Sequence, residues 1–209
     1  IAVVNAPWKN SAAVTLRLLD HVPEGLLDPT ARDISEVLHA PTLIHLEGQR
    51  RPALFVSALL HGDESTGLVA VQQLLRRYAG RVLPRALSIF FGNVVAARAG
   101  LRRLPQQPDF NRVWPGCEAS DGEEVALMRD VVAAMRQRGV FASVDLHNNS
   151  GLNPHYACVN RLDAAFLQLA TLFSRTVVHF VEPRGVQSAA FAAFCPAVAL
   201  ECGRAGDAE

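Results

Sequence analysis

The sequence predicts a three-layer α/β/α fold around a central mixed, mostly parallel sheet. Three observations predict it. Strand-like apolar runs alternate along the chain with segments of helical periodicity, the pattern of helices packed on both faces of a sheet. The runs at 53–60, 87–92 and 197–201 are of the buried type. Chemistry-bearing polar residues stand where such runs stop, at the carboxyl ends of strands where open α/β sheets collect ligands.

Residues 1–32 show no regular pattern, and a helix is expected over 33–39. After Pro41 the alternation over 42–47 reads as a strand, and 48–51 as a turn. The strand at 53–60 delivers His61. Leu68, Val71, Leu74, Leu75 and Tyr78 then recur at helical spacing, giving an amphipathic helix over about 65–78. A strand at 87–92 precedes a long irregular stretch, 98–117, that carries Pro105, Pro108 and Pro115; long loops in compact domains are often functional. Asp121-Gly-Glu-Glu opens a second helix, whose Val125, Met128, Val131, Val132 and Met135 share a face and whose end Gly139 caps. A strand at 140–146, a turn at 148–154, a strand at 155–160, a helix at 162–174, a strand at 177–182 and a last strand at 197–201 complete the order.

The 209 residues, 50% hydrophobic and 19% charged, suffice for one well-packed core, so 1–209 is expected to form a single domain with a poorly defined segment at 1–40. Twenty basic and twenty acidic side chains leave no net field to attract nucleic acid or an anionic membrane. No apolar run is long enough to span a bilayer and the first residues lack a signal-peptide pattern, so a cytoplasmic location is expected. Oligomeric state is not readable. Cys117, Cys158, Cys195 and Cys202 form no C-x-x-C pair and are expected to be reduced, packed thiols. His45 and His179, within apolar strands, are expected to be satisfied core side chains.

The motifs point to hydrolysis. His61-Gly-Asp-Glu64 places an imidazole and a carboxylate three residues apart, and Asp145-Leu-His147 supplies a second imidazole at another strand end. Two histidines and one carboxylate, with an open position, make a catalytic zinc set. The tetrapeptide alone would equally suit an ordinary helix start. Glu201 ends an otherwise apolar strand and is the candidate general base. In Asp109-Phe-Asn-Arg112, Arg112 offers a planar fork for a carboxylate, with Asn111 beside it and Asp109 to orient it. Arg102 or Arg103 could polarise the scissile carbonyl and stabilise the oxyanion. His155 and Tyr156 either line the pocket or pack beside it.

Taken together, His61-Gly-Asp-Glu64, Asp109-Phe-Asn-Arg112, Asp145-Leu-His-Asn148 and Leu200-Glu-Cys-Gly203 resemble the succinylglutamate desuccinylase and aspartoacylase family, relatives of the zinc carboxypeptidases. The resemblance runs from about Pro41 to Gly203 with the motifs in the family's order. It implies a carboxypeptidase-like fold and one Zn2+ per chain, held by His61, Glu64 and His147. It further implies Glu201 as the catalytic carboxylate and Asn111 with Arg112 on a substrate carboxylate, with Asp109 in support. Three features depart from the family: the polarising Arg usually stands nearer the Asp-x-Asn-Arg motif, the β-rich C-terminal part does not follow Gly203, so that the sequence is expected either to be a piece of a longer chain or to gate its site differently, and a further anchoring Arg has no obvious counterpart, Arg184 suiting a turn equally well. The expected activity is zinc-dependent hydrolysis of the amide of a small N-acyl amino acid. The alternatives are a carboxypeptidase-like peptidase and a zinc-binding protein without catalysis.

Overall fold

A computed structural model describes residues 15–149 and 151–206. In chain order the elements are β1 (Arg17–Leu19), α1 (Ser35–Leu38), β2 (Thr42–Leu46), β3 (Ala53–Ala58), α2 (Thr66–Arg77), β4 (Leu87–Phe91) and α3 (Val94–Ala99). They continue as α4 (Glu123–Arg138), β5 (Val140–Asn149), β6 (Tyr156–Val159), α5 (Ala164–Thr171), β7 (Val177–His179), α6 (Gln187–Ala192) and β8 (Ala197–Arg204). The strands make one eight-stranded sheet in the order β1-β2-β4-β3-β5-β8-β6-β7. Only β2 with β4 and β6 with β8 pair antiparallel, so the sheet is mixed and mostly parallel as expected.

Alternation along the central strands separates two cores. Leu43, Phe55 and Phe90 face one cluster with Val125, Met128, Val131 and Phe191 of α4 and α6. Ile44, Val56 and Ile89, one residue along each strand, face the other with Leu68, Val71 and Leu75 of α2. Successive side chains on opposite faces, each face covered by helices, are the three layers.

The structure departs from the sequence expectation at three short elements. β1 lies in the stretch read as irregular, and it pairs with β2 through only three register positions, Arg17 to Leu19. α3 and α6 were not anticipated. α3 carries its own punctuation, since the Asn93 side chain accepts from Ala96 N at 3.1 Å and Gly100 closes the far end at φ +65°. At six residues it is too short to show an apolar period. α6 buries Gln187, Ser188, Ala190, Phe191 and Ala192 and so has no polar face to betray it. His45 is satisfied as expected, with Nδ1 2.9 Å from Ser88 Oγ. His179 is not a core residue: β7 is an edge strand and the ring is exposed.

Candidate active site

β3 stops at Ala58, and the chain reaches His61 through Leu59, at φ +55°. His61 and Glu64 then occupy the bend ahead of α2. Gly62 is required there because a Cβ would stand 2.2 Å from Ala97 N and 2.3 Å from Ala96 C, inside the backbone of α3. His147 sits within β5 rather than beyond its end, since the strand continues to Asn149. Its register partner on β8 is Glu201, so the two side chains leave neighbouring strands on one face.

Glu64 joins the two histidines. Its Oε1 lies 2.8 Å from His61 Nδ1 and its Oε2 2.7 Å from His147 Nδ1. Each ring is held at its other nitrogen by a second carboxylate: His61 Nε2 lies 2.9 Å from Asp109 Oδ1, and His147 Nε2 2.7 Å from Asp145 Oδ2. Asp145 is fully buried and also accepts from Ser57 Oγ at 2.7 Å. Burial opposes charge on Glu64, Asp109 and both histidines, but the charges and hydrogen bonds of their neighbours prevail. Glu64, despite its burial, is held at about 2 by His147 and His61. Burial likewise works to raise Asp109 and to lower both histidines, yet Asp109 ends below its ordinary value and both rings end above theirs.

This donor set fits a divalent cation. One ligand atom from each of His61, Glu64 and His147 lies within 4.8 Å of the others, and all three residues are buried. Two imidazole nitrogens and one carboxylate converging on a single point are the donor chemistry of such an ion. Carboxylates behind the far ring nitrogens fix ring orientation and basicity, the usual support for metal-ligating histidines.

The loop from 101 to 112 closes one side of the pocket. Arg102 donates to Glu64 Oε1 at 3.2 Å and to Asp109 Oδ2 at 3.0 Å, and its carbonyl accepts from Gly62 N at 3.1 Å. Arg103 turns away and donates to Gln107 O at 2.6 Å. Gln107 Oε1 in turn accepts from Asn93 Nδ2 at 2.8 Å and Leu104 N at 3.1 Å, which ties the loop to the start of α3. Of the two arginines left open by the sequence, the structure brings only Arg102 to the pocket. Asn111 is committed within the protein: its Oδ1 accepts from Gln187 N at 2.9 Å, and its Nδ2 lies 3.1 Å from His147 Nε2. Arg112 donates to the Asn111 carbonyl at 2.7 Å and remains exposed at the rim.

These side chains surround an open cavity of about 600 Å³, with His61, Glu64, His147, Arg102, Arg112 and Glu201 in its wall. Glu201 is half-buried and has no hydrogen-bond or ion-pair partner among the described residues. Its pKa is raised by burial first, with Glu64 and Asp145 adding to the effect and His147 opposing it. The rest of the wall includes uncharged Cys158, Phe180, Val186 and Ala199. Cys158 and Cys202 are both held at about 11 by burial and the Glu201 charge, which keeps these free thiols protonated.

His155 and Tyr156 are packing residues: the imidazole stacks on Phe173 at 6.0 Å, and the Tyr156 hydroxyl donates to Asn149 Oδ1 at 3.2 Å. Arg184 pairs with Glu182 at 3.0 Å in a neighbouring hollow that shares Arg112 with the main cavity. Sequence reasoning passed over Asp145, Ser57 and Gln187. The signal for Asp145 was present, because Asp-x-His in a strand puts both side chains on one face.

A family model described as the succinylglutamate desuccinylase/aspartoacylase catalytic domain matches residues 50–209. Over 88 residues the chain is 41% identical to a succinylglutamate desuccinylase of Burkholderia lata, a stretch covering 40% of this chain and 24% of that protein. A succinylglutamate desuccinylase from Chromobacterium violaceum superposes with a TM-score of 0.61 at 20% identity, over 75% of this chain and 58% of that one. A metallo-carboxypeptidase from Burkholderia cenocepacia gives 0.58 at 19% identity, over 77% and 51%. At such identities the structural likeness is one of fold. The chain spans less than two thirds of each of these proteins.

Proposed function

Since the chain belongs to the succinylglutamate desuccinylase/aspartoacylase family, we propose that it is a zinc-dependent amidohydrolase that removes the acyl group from a small N-acylated amino acid. The observation that carries this reading is the convergence of His61 Nδ1 and His147 Nδ1 on Glu64, with Glu201 partnerless in the same cavity wall. His61, Glu64 and His147 would hold the zinc, which would supply Lewis acidity and make water a competent nucleophile near neutral pH.

The side chains account for the remaining chemistry. Glu201, with its raised pKa and no competing partner, takes a proton from the attacking water and returns it to the leaving nitrogen. Arg102, oriented by Asp109, presents its guanidinium to the carbonyl oxygen as charge develops there. Arg112 binds the substrate carboxylate through the part of its fork left free by the Asn111 carbonyl. Asn111, engaged at both amide atoms, holds α6 and His147 in place around that contact.

The test is a panel of N-acetyl and N-succinyl amino acids, with dipeptides alongside, presented to the zinc-loaded protein. Release of the free amino acid is expected from one or more acyl amino acids, with turnover about 10² to 10⁴-fold lower in Glu201→Gln. Undiminished turnover in that variant removes Glu201 from its role. Cleavage of dipeptides alone makes the protein a peptidase.

A further inference from the structure

We propose that Asn148 is the positioning residue that fixes Glu201 against the metal-binding side chains, by filling a bulge in β8. The proposal rests on Glu201 being the base. β5 and β8 run in register from Ser143 opposite Ala197 to His147 opposite Glu201, and the next pair is Asn149 opposite Arg204. Between those two pairs β8 carries Cys202 and Gly203 where β5 carries Asn148 alone. One strand therefore holds an extra residue immediately after Glu201, and Gly203 takes a left-handed conformation, φ +71°, to absorb it.

A bulge leaves ladder groups without their usual partners, and buried backbone groups must find others. The Asn148 side chain supplies one. Its Nδ2 donates to Gly203 O at 3.0 Å and to Thr66 Oγ1 at 2.7 Å, and its Oδ1 accepts from Thr66 N at 3.1 Å. The amide orientation is not interchangeable, since a backbone N–H at one end demands oxygen and a backbone carbonyl at the other demands nitrogen. Asn148 N meanwhile donates to Glu64 Oε2 at 3.2 Å. One buried residue thus ties the end of β8, the first residue of α2 and the ligand Glu64 together. Glu201 stands two residues before Gly203, between its register partners His147 and Tyr156. The amide contact thereby sets where β8 leaves the sheet, and with it the separation of Glu201 from the cluster.

Asn148→Asp separates this role from general stability, because the shape and the acceptor for Thr66 N persist and the Thr66 hydroxyl can turn to donate to the new oxygen, while the Gly203 carbonyl meets a repelling oxygen in place of its donor. Three readouts are needed: kcat and KM on the acyl amino acid that the wild type turns over, the visible absorption of the cobalt-loaded protein, and amide hydrogen exchange by peptide. The expected result is a loss of about 10²-fold in kcat, the scale of a small displacement of a catalytic group, with KM within about twofold of wild type. The cobalt spectrum stays unchanged, and exchange accelerates over 201–204 but not over 61–66. Wild-type kcat with wild-type exchange over 201–204 overturns the proposal. So does a cobalt spectrum altered together with kcat, which would place the effect on the ligands. If the wild-type protein hydrolyses no acyl amino acid, the functional reading fails by itself, and exchange with the cobalt spectrum still decides the role of Asn148. Should Asn148→Asp not fold, Asn148→Ala is judged on kcat, the cobalt spectrum and exchange over 201–204, because it also removes the acceptor for Thr66 N and so loosens 61–66 as well.

Discussion

Glu64 accepts from a different histidine on each of its oxygens, and this single carboxylate explains how two strand ends and a bend become one site. Its ionised form is favoured in the fold, so its contribution to stability carries a sign that can be worked out. The metal-free protein holds Glu64 at about 2 against an ordinary 4.5, so the contribution is complete above about pH 4.5 and is lost as pH falls towards 2. The histidines act oppositely: with folded pKa values above the ordinary 6.5, theirs is complete below that pH and fades as pH rises through the folded values. Chelator-treated wild type and Glu64→Gln should therefore differ in unfolding free energy by on the order of a few kcal/mol between pH 4.5 and 6.5. The gap should narrow on both sides. A gap independent of pH would show that the hydrogen bonds of Glu64 do not depend on its charge. At this scale the residues that meet in the cavity were legible, since His61, Glu64, His147 and Glu201 were each marked by residue type beside an apolar run, although His147 and Glu201 lie inside their strands and not at the ends. The choice between Arg102 and Arg103 was not legible, because it turns on the Gln107 carbonyl capturing one of them.

Among elements, the bend carrying His61 and Glu64 owes its shape to a helix that the sequence hid. α3 runs so close to Gly62 that any side chain there meets backbone rather than another side chain, and backbone cannot swing aside. Gly62→Ala should destabilise the protein by about 1–3 kcal/mol or more, as forced overpacking does, measurable as a lowered urea midpoint. It should also weaken metal binding, because His61 and Glu64 flank the displaced backbone. A variant with wild-type midpoint and metal affinity would mean that the bend and α3 separate freely. The long elements α2 and α4 were readable because each buries one stripe of an otherwise polar helix. α6, buried nearly all round, and β1, three residues long, offer no such contrast. The expectation that His147 follows its strand failed for a related reason: β5 and β8 stay paired past the apolar run, into residues whose polarity reads as a turn.

For the whole molecule, the layer architecture followed from alternation alone, but the strand order did not. Nothing local announces that β6 enters antiparallel beside β8 or that β4 lies between β2 and β3. That order puts β5 and β8 side by side in the middle of the sheet, which is how His147 and Glu201, far apart in sequence, come to share one cavity. With formal net charge zero, the pocket's charge pattern is local: a cluster of carboxylates and imidazoles beside Arg102 and Arg112. Among the described residues no helix is long and apolar enough to cross a membrane. An ion that binds the folded state but not the unfolded one stabilises the fold by mass action, so zinc should raise the unfolding temperature and chelation should lower it.

The most direct test of a metal-centred hydrolase is to strip the protein, titrate zinc back, and follow metal binding and acyl amino acid turnover in the same samples, with His61→Ala in parallel. The expected result is turnover that rises in proportion to bound zinc and levels off at one ion per chain, with His61→Ala binding zinc at least about 10-fold more weakly, as loss of an anchoring interaction predicts. Turnover that survives in the stripped protein, or zinc binding unaltered in His61→Ala, would contradict the account.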